Sequence, residues 1–136
     1  MAKTVLIVDD LVFVRRTLSD IFTQAHYQVI GEAANGADAI QQYVKLRPDI
    51  VTMDVVMPEM SGIEATRKIC MMDKDAKIII ISAMGQENLV MEAINVGAKD
   101  YILKPFSRDD VIKTADKAVR GDSFAPARGS PREKTT

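Results

Sequence analysis

Five short apolar runs, each followed by a stretch of helical periodicity, leave this chain few folds to choose from. The runs occupy residues 5–8, 29–30, 50–53, 78–81 and 101–103. Between them, Val14, Leu18, Ile21, Phe22 and Ala25 recur at the spacing of one helix face. Ala37, Ile40 and Val44 repeat the pattern, as do Ile63, Thr66, Ile69 and Cys70, then Val90, Ala93, Ile94 and Gly97, then Val111, Ala115 and Ala118. Strand-length runs alternating with helices imply a parallel sheet joined by right-handed crossovers. The expectation is an α/β, doubly wound, five-stranded parallel sheet of flavodoxin-like type in a single domain, with strand order 2-1-3-4-5. The first, third and fourth runs are almost wholly apolar, as strands covered on both faces must be. The second gives way to Gly31 and Glu32 and reads as an edge.

Local chemistry marks the element boundaries. Ser61-Gly-Ile-Glu64 and Ser107-Arg-Asp-Asp110 each place a carboxylate three residues after a hydroxyl, the spacing of a helix capping box. Asn35-Gly36 with Asp38 reads as a turn into a helix, and Gly97 falls where a helix would close in a left-handed turn. Residues 1–120 are expected to form the domain. Residues 121–136 carry glycines, prolines and scattered charge without periodicity, and are expected to be a disordered tail.

The 136 residues suffice for one domain with a real core. Lys and Arg number 18 against 19 Asp and Glu, a net charge of −1, which offers no basic field for nucleic acid or an anionic membrane. The single cysteine, Cys70, and single histidine, His26, exclude an internal disulfide and any Cys- or His-rich metal site. No run approaches the ~18 apolar residues of a membrane span. Met1-Ala2-Lys3 leads straight into a strand pattern without a signal-peptide layout, so a cytoplasmic protein is expected; a monomer is expected as well.

Ligands of open α/β sheets bind beyond the carboxyl ends of the strands, where strand order reverses. In the order 2-1-3-4-5 that point lies between the first and third strands, which end at Asp9-Asp10 and Asp54. The fourth ends at Ser82-Ala83 and the fifth leads into Lys104-Pro105. An acidic pair at a strand end is ordinarily a solvated loop, and a single lysine is ordinarily a surface group. Three carboxylates converging on one crevice are different, because their repulsion demands compensation. A divalent cation and Lys104 would balance the charge. Oxygen-only donors suit Mg2+, with Mn2+ as a substitute. A hard dication, an ammonium and a hydroxyl together suit a phosphoryl group. A carboxylate can serve as its acceptor, and Asp54, at the middle of the sheet, is the candidate.

These residues carry a resemblance. The pair Asp9-Asp10, the stretch Asp54-Val-Val-Met-Pro-Glu-Met-Ser-Gly62, Ser82-Ala83 and Tyr101-Ile-Leu-Lys-Pro-Phe106 resemble the receiver domain of two-component response regulators, over about residues 3–120. Within that family they are similar to the CheY-like chemotaxis regulators, and Ser82-Ala-Met-Gly-Gln86 looks like the Bacillus type. The resemblance implies a phosphoacceptor regulator rather than an enzyme. Asp54 would be phosphorylated by a CheA-like histidine kinase. Asp9, Asp10, Asp54 and the backbone carbonyl of Val56 would hold Mg2+. Ser82, the Ala83 backbone and Lys104 would contact the phosphoryl group. Ser82 and Tyr101 would act as the switch, and the bond before Pro105 would be cis. The face of the fourth helix, fifth strand and fifth helix, with Met84, Ala98, Tyr101 and Leu103, would dock a FliM-like flagellar switch protein. A CheY phosphatase is a further implied partner.

Two departures stand out: Ser82 replaces the more frequent threonine, and Val56 a more frequent polar residue. Three other readings have sequence tests. A haloacid-dehalogenase-type phosphohydrolase would need an acid two residues after the nucleophile, where Val56 stands. A flavin or dinucleotide binder would need a glycine- or hydroxyl-rich loop after the first strand, where Asp9-Asp10-Leu11-Val12-Phe13 stands. A receiver domain of a longer regulator controlling transcription would use the tail as a linker.

Overall fold

The computed structural model describes residues 2–122. Five strands and five helices alternate strictly: β1 Thr4–Val8, α1 Val12–Gln24, β2 Gln28–Ala33, α2 Gly36–Leu46, β3 Ile50–Asp54, α3 Gly62–Met72, β4 Ile78–Ala83, α4 Glu87–Asn95, β5 Asp100–Lys104 and α5 Arg108–Val119. All strand pairs are parallel and the order is β2-β1-β3-β4-β5, as the alternation requires.

Because strand side chains alternate, the sheet buries two separate layers. Leu6, Val8, Val51, Met53, Ile78 and Ile80 point to one face, under Ala39 and Tyr43 of α2, Ile63 and Ile69 of α3 and Ala93 of α4. Val5, Ile7, Ile50, Ile79, Ile81 and Ile102 point to the other, under Leu18 and Phe22 of α1 and Val111 and Ala115 of α5. That double covering is why β1, β3 and β4 read as almost wholly apolar runs, broken in β3 by the buried Thr52.

The edge strands run longer than their apolar cores. In β2, Gly31, Glu32 and Ala33 pair with Leu6, Ile7 and Val8, and the register skips Ile30 as in a bulge. Edge strands are only partly covered, so polar residues can pair there without being buried. In α2 the fully buried residues are Gly36, Ala39 and Tyr43, and of the expected Ala37, Ile40 and Val44 only Ile40 packs against the core. The helix is turned so that the Tyr43 ring enters the core while its hydroxyl donates to Asp73 Oδ2 at 2.7 Å. Val44 is left 51% exposed.

The caps follow the sequence with one change. Ser107 and Asp110 form a full capping box. Ser61 accepts from the Glu64 amide, but the Glu64 carboxylate turns instead to Arg67 and Lys68. Gly97, at φ +129°, closes α4: its amide donates to Ile94 and the Ala98 amide to Ala93. The same paired bonds, Gly121 to Ala118 and Asp122 to Lys117, close α5. The first two residues of the expected tail therefore belong to the end of the last helix, because its final carbonyls need those donors. The rest of that expected tail lies outside the described residues.

Candidate functional site

β1, β3, β4 and β5 deliver their carboxyl ends to one rim. Asp9 and Asp10 follow β1, Asp54 ends β3, Ser82 and Ala83 end β4, and Lys104 ends β5. One carboxylate oxygen from each of Asp9, Asp10 and Asp54 lies within 4.8 Å of the others. Asp9 and Asp54 are buried, at 1% and 7% exposure, and Asp10 is exposed.

Lys104 joins them across 95 residues of sequence. Its Nζ stands 3.4 Å from Asp9 Oδ2 and 3.7 Å from Asp54 Oδ1. The other Asp9 oxygen accepts from the Leu11 amide at 2.9 Å. Even so, negative charge is in excess. Burial, and next the Asp9 carboxylate, push the Asp54 pKa up to about 6, against the pull of Lys104 and a hydrogen bond from the Val56 amide. A carboxylate held that far above its ordinary range is short of positive charge. Three oxygen donors of this kind fit a hard divalent cation.

Ser82 is fully buried, and its Oγ has no hydrogen-bond partner among the described residues. Leaving a buried hydroxyl unpaired costs about 1–3 kcal/mol, so this atom is ready for an incoming acceptor. The Ala83 amide is already engaged: it donates to Gln86 Oε1 at 2.7 Å. The Lys104-Pro105 bond is cis. Val56 is 54% exposed and lines a groove with Met57, Ser61, Glu64, Arg67 and Leu89.

Of the residues expected on the partner face, Met84 is exposed at 77% and Leu103 at 42%. Tyr101 is half-buried beside a hollow of about 130 Å3 shared with Glu87, Val90, Met91 and Leu103. Ala98 does not belong to an accessible face. It is buried in the layer beneath α4, because the turn at Gly97 folds it inward.

Two neighbours of the site escaped the sequence reading. Arg15 donates to the Asp9 carbonyl at 2.6 Å and pairs with Glu32 at 3.0 Å, tying the acidic loop to β2. Its one signal was a cation four residues past Leu11, on the first turn of α1. Gln86 stood only at the end of the Ser82–Gln86 run of the resemblance, and nothing local marked its bond to the Ala83 amide, since a glutamine before a helix is ordinarily a surface group.

A parallel sheet of this strand order, with three carboxylates, a lysine and a buried hydroxyl at its switch point, places the chain among the receiver domains of two-component signalling. The chain belongs to the response regulator receiver domain family, which matches residues 5–116. It is similar to the chemotaxis protein CheY of Thermotoga maritima, at 55% identity over 88% of this chain and 100% of that protein. To CheY of Bacillus subtilis the identity is 47%, over 88% and 99%. The crystal structure of the CheX-CheY-BeF3-Mg complex from Borrelia burgdorferi superposes with a TM-score of 0.78 at 42% identity, covering 82% of this chain and 84% of that one. Members of this family are signalling proteins rather than conventional enzymes, and the CheY relatives support chemotaxis signalling. No described helix is long and apolar enough to cross a membrane.

Proposed function

We propose that this protein is the phosphorylated messenger of a chemotaxis relay. A CheA-like kinase presents a phosphohistidine. Its P–N bond breaks as a bond forms between phosphorus and an Asp54 carboxylate oxygen, and the imidazole leaves with its nitrogen lone pair restored. What carries the reading is the Asp54 carboxylate at the meeting of the strand ends, beside Asp9, Asp10 and the Lys104 ammonium.

Asp9, Asp10, Asp54 and the Val56 carbonyl would hold Mg2+. Bound there, Mg2+ supplies charge that lets a phosphoryl group approach an acidic crevice. Lys104 leaves Asp54 to pair with a phosphoryl oxygen, and Ser82 Oγ gains the acceptor it lacks. Drawing Ser82 inward makes room for Tyr101 to turn from its half-buried position, which remodels the α4–β5–α5 face for a FliM-like flagellar switch protein. A CheY phosphatase would end the signal. The named chemotaxis relatives support this assignment over a transcriptional one.

The deciding experiment treats the protein with acetyl phosphate, with Mg2+ or with EDTA, and follows intact mass. An increase of one phosphoryl group that needs the metal and sits on residue 54 is expected. Modification without metal, or at another residue, would overturn the reading.

Val56 sets a second expectation. Its exposed apolar side chain cannot hydrogen-bond a water near the acyl phosphate. Val56→Asn is expected to change the dephosphorylation rate several-fold, measured as phosphate release after single-turnover loading. Equal rates would remove Val56 from control of lifetime.

A further inference from the structure

The turn between β4 and α4 is held by two bonds between Ala83 and Gln86, one from the Gln86 backbone and one to its side chain. The Gln86 backbone amide donates to the Ala83 carbonyl at 3.3 Å, and Gln86 Oε1 accepts from the Ala83 amide at 2.7 Å. In a parallel strand, each residue's N–H and C=O point the same way, and successive residues alternate. The Ile78 carbonyl faces β5, accepting from Lys99, whereas the Ile81 carbonyl faces β3, accepting from Val55. By that alternation the Ala83 amide points toward β3, the side on which Asp54 stands. The carboxamide oxygen thus covers a donor aimed at the acceptor carboxylate's end of the sheet.

We infer that Gln86 is a positioning residue that occupies the phosphoryl group's place on the Ala83 amide in the resting protein, and that phosphorylation must displace it. This rests on the phosphoacceptor reading of Asp54. The exchange is downhill, because a charged oxygen accepts a hydrogen bond about twice as strongly as a neutral one. It also has a readout built into the fold. Gln86 stands immediately ahead of α4, and its backbone carbonyl accepts from Val90 at the start of that helix. Val90 lines the hollow that Tyr101 and Leu103 share. Releasing the carboxamide therefore loosens the turn carrying exposed Met84 and the first turn of α4. The site is thereby linked to the α4–β5 surface by a route separate from Ser82. Gln86 makes no side-chain cap to α4, so removing its carboxamide does not uncap the helix.

The test titrates the full chain with beryllofluoride, a phosphoryl mimic, at saturating Mg2+, and reads 1H–15N shifts. Gln86→Met keeps the length and removes the acceptor. It is expected to bind beryllofluoride about 3- to 10-fold more tightly than wild type, the ratio that one neutral hydrogen bond represents. Mg2+ affinity without beryllofluoride is expected to be unchanged. Gln86→Glu restores an acceptor with a charge and is expected to bind more weakly than wild type. A residue that merely braces the loop would give the opposite order, with Gln86→Met the weaker binder. Equal or weaker binding by Gln86→Met, while wild type binds, overturns the inference alone. Failure of wild type to bind overturns the phosphoacceptor reading and this inference with it. Wild type supplies an independent check: its Gln86 carboxamide resonances are expected to move toward free-glutamine positions on saturation, and their constancy would overturn the displacement.

Discussion

Asp54→Asn is expected to abolish phosphoryl uptake and, at the same time, to stabilise the metal-free protein at pH 7. The first effect follows because Asn has no anionic oxygen to attack phosphorus. The second follows from the strain of the resting site. The Asp54 pKa is raised from 3.8 to about 6, chiefly by burial and then by Asp9. Between those values the native protein holds a proton that the unfolded chain has lost. Its stability therefore falls as pH rises from about 4 to about 6, and the loss is complete above that. A shift of that size is worth up to roughly 3 kcal/mol. Asn carries no such charge, so the variant escapes the loss. In urea melts with EDTA, Asp54→Asn should exceed wild type at pH 7, and the gap should close near pH 4. Excess Mg2+ should narrow it at pH 7 as well, because a cation that binds the native carboxylates favours the wild-type fold. A variant less stable than wild type at pH 7 in EDTA would show that the Asp54 charge is not strained.

Gly62→Ala is expected to be the most damaging single-methyl change near the site. Gly62 opens α3 and is buried, and its amide donates to the Val55 carbonyl at 2.8 Å. A Cβ there would collide with the backbone carbonyl of Asp54, with Met53 Cγ only 3.1 Å away. Backbone cannot rotate aside as a side chain can. Either α3 moves off the sheet or the end of β3 shifts, and the second displaces Asp54. Overpacking of this kind costs roughly 2–4 kcal/mol. Gly85 supplies the comparison: at φ +90° it has open space around it, so Gly85→Ala carries backbone strain alone, about 1–2 kcal/mol. Urea midpoints should rank wild type above Gly85→Ala above Gly62→Ala, with acetyl phosphate incorporation impaired in the last. A Gly62→Ala loss no larger than that of Gly85→Ala would mean that α3 is not pinned against β3 as the contact implies.

Much of the architecture was legible because it is written in local repeats. Residues 78–81 are isoleucines throughout, and only a strand covered on both faces buries such a run. Ser107 and Asp110 announced their helix because a hydroxyl and a carboxylate at that spacing satisfy amides within one turn. Where local signals were ambiguous, the reading slipped. Tyr43 lay off the aliphatic stripe chosen for α2, yet Asp73 on a different element gives its hydroxyl a partner and lets the ring sink. Ala98 was placed on the partner face only by the resemblance, and the direction of the turn at Gly97 buries it.

The sequence by itself determined the alternating fold class, the helix caps and the acidic, hydroxyl and basic groups available at strand ends, since each depends on residues a few positions apart. Only the tertiary structure decided that Lys104 bridges Asp9 and Asp54, that Gly62 presses on β3, and that Gln86 already covers the Ala83 amide. Those facts depend on register, crossover and loop direction. They follow from how separate elements pack rather than from the period of any one of them.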